Sequence, residues 1–113
     1  MNDLWPAVYP KRALHPEFRQ AVRVSMANAF RAKMQRKHGE APTMHGMSGL
    51  QLTAVAGFPH PSELTRVISA KPVGTTPLMI GRLKTLAKAV GYTGEMFSEE
   101  TDTLVAAHQE VTL

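Results

Sequence analysis

The stretch Ser48-Gly-Leu-Gln-Leu-Thr-Ala-Val-Ala-Gly57-Phe-Pro-His-Pro61-Ser-Glu-Leu-Thr-Arg-Val-Ile68 carries the strongest structural signal in the chain. Ser48 and Gln51 have the spacing of a capping box at a helix start, and Gly57 supplies the left-handed residue that ends a helix. After the turn at 58–60, Pro61 stands at the first position of a second helix. The stretch therefore predicts two short helices joined by a tight turn. Their predicted buried residues are Leu52, Val55 and Ala56 in the first and Leu64, Val67 and Ile68 in the second.

Helical patterns also flank this stretch. From Pro16 to about Lys37, apolar residues recur every four positions, which predicts an amphipathic helix whose stripe packs in the core. Downstream, Thr76 and Pro77 predict the start of a helix that ends at Gly91, and the segment from about Gly94 onward is expected to be at least partly helical. Residues 39–47 are a predicted loop. The stripe of the first helix consists of Phe18, Val22, Met26, Phe30 and Met34.

These patterns predict an all-α fold, a compact bundle of about five helices. A length of 113 residues favours a single domain. Residues 1–15, which include Pro6 and Pro10, are expected to form an irregular N-terminal arm. Residues 16–98 form the predicted helical domain, and residues 99–113 form a predicted acidic C-terminal helical tail.

Charge is distributed unevenly along the chain. Residues 1–91 hold all 13 Lys and Arg against four acids, a net charge of +9, whereas residues 92–113 hold five acids and no Lys or Arg. A basic body favours a polyanionic partner, because bound cations neutralise phosphates and release counterions. A solvated basic surface without a special partner is the alternative that charge alone leaves open.

Other features narrow the class of protein. The chain has no cysteine, which excludes a disulfide framework and a thiolate zinc site and suits a reducing cytoplasm. No stretch has the length and apolarity of a membrane span, so a soluble, cytoplasmic protein without membrane contact is expected. His38 and His45 lie on either side of a loop with no carboxylate at metal-ligand spacing, and lone histidines are usually structural or exposed. No phosphate-binding glycine loop or nucleophile elbow is present. We therefore expect neither an enzyme nor a metal or other cofactor.

Three sequence motifs between Leu50 and Phe97 resemble the Cro/phage-repressor-like, or Xre-type, helix-turn-helix family. They are Leu52-x-x-x-Ala56-Gly57, Leu64-Thr65-Arg66-Val67, and Leu83-x-x-Leu86-Ala87-x-x-Val90-Gly91-Tyr92 followed by Glu95-Met96-Phe97. The resemblance covers a little under half of the chain. It implies a helix-turn-helix DNA-binding domain at 16–98 and a transcriptional regulator, typically a repressor, that binds double-stranded DNA.

The resemblance also implies which side chains contact DNA. The helix that begins at Pro61 would lie in the major groove, where each base pair has a distinct pattern of donors and acceptors. Arg66 is the leading candidate because its planar fork matches guanine O6 and N7. The implied base contacts are Ser62, Thr65 and Arg66. The implied phosphate contacts are Ser48, Gln51, His60 and Lys71, and Lys11 and Arg12 of the arm are further candidates.

A homodimer is the expected state, since one recognition helix contacts few base pairs and family members of this size bind as two-fold dimers. The acidic tail is the candidate dimer contact. It is equally a candidate site for another protein partner, as in small antitoxins of the family. A protein-interaction module that keeps the fold with weak or no DNA binding is therefore the alternative function.

Overall fold

The computed structural model describes residues 9–41 and 46–98, and this part of the chain contains four helices. Helix α1 spans Pro16–Lys37, α2 spans Gly49–Ala56, α3 spans Pro61–Ile68 and α4 spans Pro77–Val90. The all-α class and these four helices confirm the sequence prediction. The start of the arm at 1–8, loop residues 42–45 and the acidic tail at 99–113 lie outside the described residues.

Local capping signals set the bounds of the two short helices. The Ser48 side chain accepts a hydrogen bond from the Gln51 backbone at 3.2 Å, and the Gln51 side chain accepts one from the Ser48 backbone at 2.8 Å. Gly57 ends α2 in the left-handed region, with φ of 79°. The Phe58 N–H then bonds back to Thr53 O at 3.0 Å, as in a Schellman motif. Because Phe58 is itself buried, the turn between α2 and α3 is anchored at the end where it leaves α2.

The helices enclose one hydrophobic core. Helices α1 and α2 each pack against both α3 and α4. Phe18 of α1 lies fully buried and stacks on Tyr92, with ring centroids 5.1 Å apart and planes 6° from parallel. Burial, with smaller contributions from Glu17 and Glu95, raises the pKa of the Tyr92 phenol, which stays protonated and donates to Glu95 O. None of the described helices has both the length and the apolar character of a membrane span. The buried cluster comprises Leu14, Phe18, Val22, Leu52, Ala56, Phe58, Leu64, Val67, Val73, Leu83 and Leu86.

The end of the N-terminal arm is part of this fold. Arg12 pairs with Val73 through two backbone hydrogen bonds of 2.9 and 2.8 Å, and Leu14 forms an antiparallel bridge with Phe97. The Leu14 side chain is buried in the core. Residues 12–14 therefore lie between two distant segments, the α3–α4 loop and the chain after α4.

The described residues contain four helices and not the predicted five, and the arm pairing accounts for the chain after α4 as far as Ser98. The segment from about Gly94 onward is predicted to be at least partly helical, but its described part, residues 94–98, is not helical. The Ser98 N–H donates to Ala13 O, and Met96 O accepts from the His15 N–H. Backbone groups that bond to the arm cannot also form a helical ladder.

Two predictions about the core are also wrong. Phe30 is 65% exposed, and Met34 is exposed as well. The buried face of α1 instead continues from Phe18 and Val22 to Ser25 and Ala32, because the helical period of 3.6 residues moves a strict four-residue stripe away from the core. On α2, Val55 is 46% exposed. The buried position belongs to Thr53, whose hydroxyl is satisfied by donating to Gly49 O at 2.7 Å.

Candidate nucleic-acid interface

Helix α3 separates its polar side chains from its apolar ones. Leu64 and Val67 are buried, whereas Ser62, Thr65 and Arg66 are all exposed. The helical period of 3.6 residues produces this division, since the positions at 62, 65 and 66 fall opposite the buried pair. The three predicted base-contacting side chains thus share one accessible face.

The turn before α3 is held by His60. Its Nδ1 accepts a hydrogen bond from the Ser62 N–H at 3.1 Å and lies 2.9 Å from Ser62 Oγ. An Nδ1 that accepts leaves the proton of the neutral ring on Nε2, so the imidazole can still donate one hydrogen bond outward. The side chain of His60 therefore caps α3, and its Nε2–H is the one donor that it can offer to a phosphate.

The start of α2 holds the predicted phosphate contacts Ser48 and Gln51. Their side chains are engaged with each other's backbone in the capping box. The Ser48 oxygen serves as the acceptor there, so its hydroxyl proton remains available as a donor. This pair lies on α2, at a place separate from the exposed face of α3.

Replacing Ser48 tests its capping role directly. We expect Ser48→Ala to lower the free energy of unfolding by about 1 kcal/mol, because the Gln51 N–H loses its acceptor. Ser48→Asp should keep most of the stability, since a carboxylate also caps and interacts favourably with a helix start. Urea unfolding followed by circular dichroism measures both. An Asp variant as unstable as the Ala variant would contradict a capping role.

A cationic cleft lies next to α3. Lys11 of the arm, Arg66 of α3 and Lys71 of the α3–α4 loop line one cavity of about 470 Å³. Its remaining lining residues are Pro72, Val73, Gly74 and Met79, so the described lining contains no acid. All three cationic side chains are exposed. The structure thus brings together Arg66 and Lys71, which were predicted as DNA contacts of different kinds.

Of the three cationic residues in the cleft, Lys11 had the weakest support from the sequence as a DNA contact. Its only signal is the basic pair Lys11-Arg12 in an arm predicted to be irregular. The proximity of Lys11 to Lys71 depends on the pairing of Arg12 with Val73, and a contact between residues about 60 positions apart leaves no local pattern.

The exposed polar side chains of α3 and the cations of the cleft can donate hydrogen bonds to neutral acceptors and to anions. Among the described residues, no three His, Asp or Glu side chains form a group that could hold a metal ion. Comparison with family models, curated proteins and solved structures found no match.

Proposed function

We propose that this protein is a transcriptional regulator, most simply a repressor, that binds double-stranded DNA through a helix-turn-helix of the Xre type. In this proposal α2 and α3 form the motif, and α3 enters the major groove. The observation that carries the proposal is the exposed face of α3, where Ser62, Thr65 and Arg66 stand opposite the buried Leu64 and Val67. A helix with this division can keep its place in the core while its outer side chains contact base edges.

Electrostatics support the same proposal. The cationic cleft borders α3 through Arg66, and the residues up to Gly91 carry a net charge of +9. Phosphate contacts fix the orientation of a protein on the duplex, whereas base contacts provide sequence specificity. Lys71 is the proposed phosphate contact after α3, and Ser48, Gln51 and His60 are those before it.

The salt dependence of DNA binding tests the proposal. Fluorescence anisotropy with a mixed-sequence duplex should show that affinity falls steeply between about 50 and 200 mM salt, with a log–log slope of about −0.9 for each phosphate contacted. Lys71→Ala should weaken binding to all sequences to a similar degree and reduce the magnitude of that slope by about 1. Lys84→Ala, which removes an exposed lysine of α4 outside the cleft, is the matched control and should change neither. No detectable binding would refute DNA binding, and binding that neither salt nor Lys71→Ala weakens would refute the proposed phosphate contacts.

We further propose that the protein binds DNA as a homodimer. Two copies related by a two-fold axis would contact half-sites about one helical turn apart, which doubles the number of base pairs in contact. Sedimentation of the free protein and of its complex with a selected duplex measures the stoichiometry. One chain per duplex in a specific complex would contradict the proposal.

Exposed apolar side chains favour a second candidate, a protein-interaction module. Phe30, Met34 and Leu50 are all large, hydrophobic and exposed. Large exposed apolar groups are common at protein interfaces when they are contiguous. If the salt experiment finds no DNA binding, this alternative is the one to test, and Phe30→Ala and Leu50→Ala are the variants for it.

A further inference from the structure

We propose that Lys11 and Lys71 together hold a single backbone phosphate of duplex DNA in the cationic cleft, next to Arg66. This inference rests on the proposed function and adds the N-terminal arm to the DNA-binding surface. The chemistry recognised is a phosphate group, which is also carried by inorganic phosphate. The tests below separate these two sources.

The cleft has the charge and the construction of a phosphate site. Three cationic side chains from three separate segments line it, and its described lining has no acid to pair with them. Cations in one small cleft repel each other, and an anion bound among them relieves that repulsion. Val73 is buried, so the wall that carries the cations is anchored in the core.

The arm is held so that Lys11 remains in place. The two residues adjacent to Lys11 are both tied to the α3–α4 loop. Pro10 O accepts a hydrogen bond from Thr75 Oγ1 at 2.6 Å, and Arg12 exchanges two backbone hydrogen bonds with Val73. The backbone of Lys11 is therefore fixed before any ligand arrives, and less entropy is lost when its side chain binds.

Side-chain alternation directs Lys11 away from the core. In an extended segment successive side chains point to opposite sides. Arg12 lies over the Phe97 ring, with its guanidinium carbon 4.2 Å from the ring centroid, and Lys11 is exposed. Lys11 thus lines the cleft, while its neighbour Arg12 packs on the chain after α4.

A shared phosphate predicts that the two lysines act as a unit. In binding to a mixed-sequence duplex, Lys11→Ala and Lys71→Ala should each weaken affinity about tenfold. The double variant should lose little more than either single variant, because each lysine positions the phosphate for the other. Lys84→Ala is the control, which should change nothing alone and should add nothing to Lys71→Ala. Multiplying effects for Lys11 and Lys71, or an unchanged affinity for Lys11→Ala, would overturn the shared site.

Thr75 is the positioning residue in this proposal. Thr75→Val removes the hydroxyl that donates to Pro10 O and nearly preserves the size of the side chain. It should weaken DNA binding in the wild-type background, have little effect when Lys11 is already Ala, and be rescued by Thr75→Ser. A loss of the same size in the Lys11→Ala background would show that Thr75 acts through the fold and not through Lys11.

Inorganic phosphate tests the site without DNA. Titration of the full chain, followed by the backbone amide resonances in NMR, should shift Lys11, Lys71 and Gly74 in a saturable way, and sodium chloride at equal ionic strength should not. The double variant should show no saturation. Saturable phosphate binding without DNA affinity would support the site and refute the proposed function. Steep salt-dependent DNA binding without these shifts would refute the site and leave the proposed function intact.

Discussion

Replacing Phe18 by Ala is expected to lower the free energy of unfolding by about 3–5 kcal/mol. Phe18 has no exposed surface, belongs to the central cluster and stacks on Tyr92 at 5.1 Å. Its removal costs the transfer energy of the ring and also leaves a cavity. A domain of this size has a total stability of about 5–15 kcal/mol, so the variant should unfold at a much lower urea concentration. Urea titrations followed by circular dichroism measure the difference.

Phe30→Ala is the matched control, since it makes the same change on the same helix. Phe30 is 65% exposed, and exposed substitutions usually alter stability by no more than about 0.5 kcal/mol. A large loss of stability for Phe30→Ala would mean that another part of the chain, or a second copy, covers this end of α1 in solution. Equal losses for the two variants would contradict the core described above.

The second large effect concerns sequence discrimination by Arg66. Arg66→Lys keeps the positive charge but loses the planar fork that bonds guanine at two atoms. If Arg66 contacts a base, the preference for the selected duplex over one with a changed base pair should fall by about 10- to 100-fold. Affinity for mixed-sequence DNA should change little. The preferred duplex is first obtained by selecting bound fragments from a random pool.

Two further variants make this test specific. Arg36→Lys changes another exposed arginine, at the end of α1, and should leave discrimination unaltered. Arg66→Ala should weaken both discrimination and general affinity, because it also removes a charge from the cleft. If Arg66→Lys discriminates as well as the wild type, Arg66 contacts the DNA backbone and the base contact lies elsewhere on α3.

The helices were largely predictable because their ends are set by local chemistry. Pro16 and Pro61 stand at first helical positions, Ser48 and Thr76 cap, and Gly91 ends α4 with φ of 73°. Each of these effects acts within a few residues, so the sequence alone can reveal it.

The errors arose where the outcome depends on distant parts of the chain. The four-residue stripe of α1 is regular through Phe30 and Met34, but the buried face follows Ser25 and Ala32 instead, and only the packed neighbours decide which of the two faces is covered. On α2 the buried face is Leu52, Thr53 and Ala56, which leaves Val55 outside it, and the Thr53 hydroxyl is buried without loss because it bonds to Gly49 O one turn back. The backbone of residues 94–98 forms hydrogen bonds with the arm instead of helical ones, and no local sequence pattern predicts this pairing.

In the candidate site, too, local features could be predicted from the sequence and contacts between distant residues could not. The exposure of Ser62, Thr65 and Arg66 follows from the helical period and is confirmed, whereas their contact with DNA stays a prediction. The meeting of Lys11 with Lys71 required the fold, because residues on both sides of Lys11 bond to the α3–α4 loop.

The pairing of the arm has a consequence for how the chain acquires its structure. Residues 12–14 are synthesised well before their partners at Val73 and Phe97, which lie about 60 and 80 residues further along the chain. Closing loops of that length carries an entropic cost that local helical contacts do not. We expect the helices to form first and the arm to dock last, so the Lys11 side of the cleft should be completed only in the final step of folding.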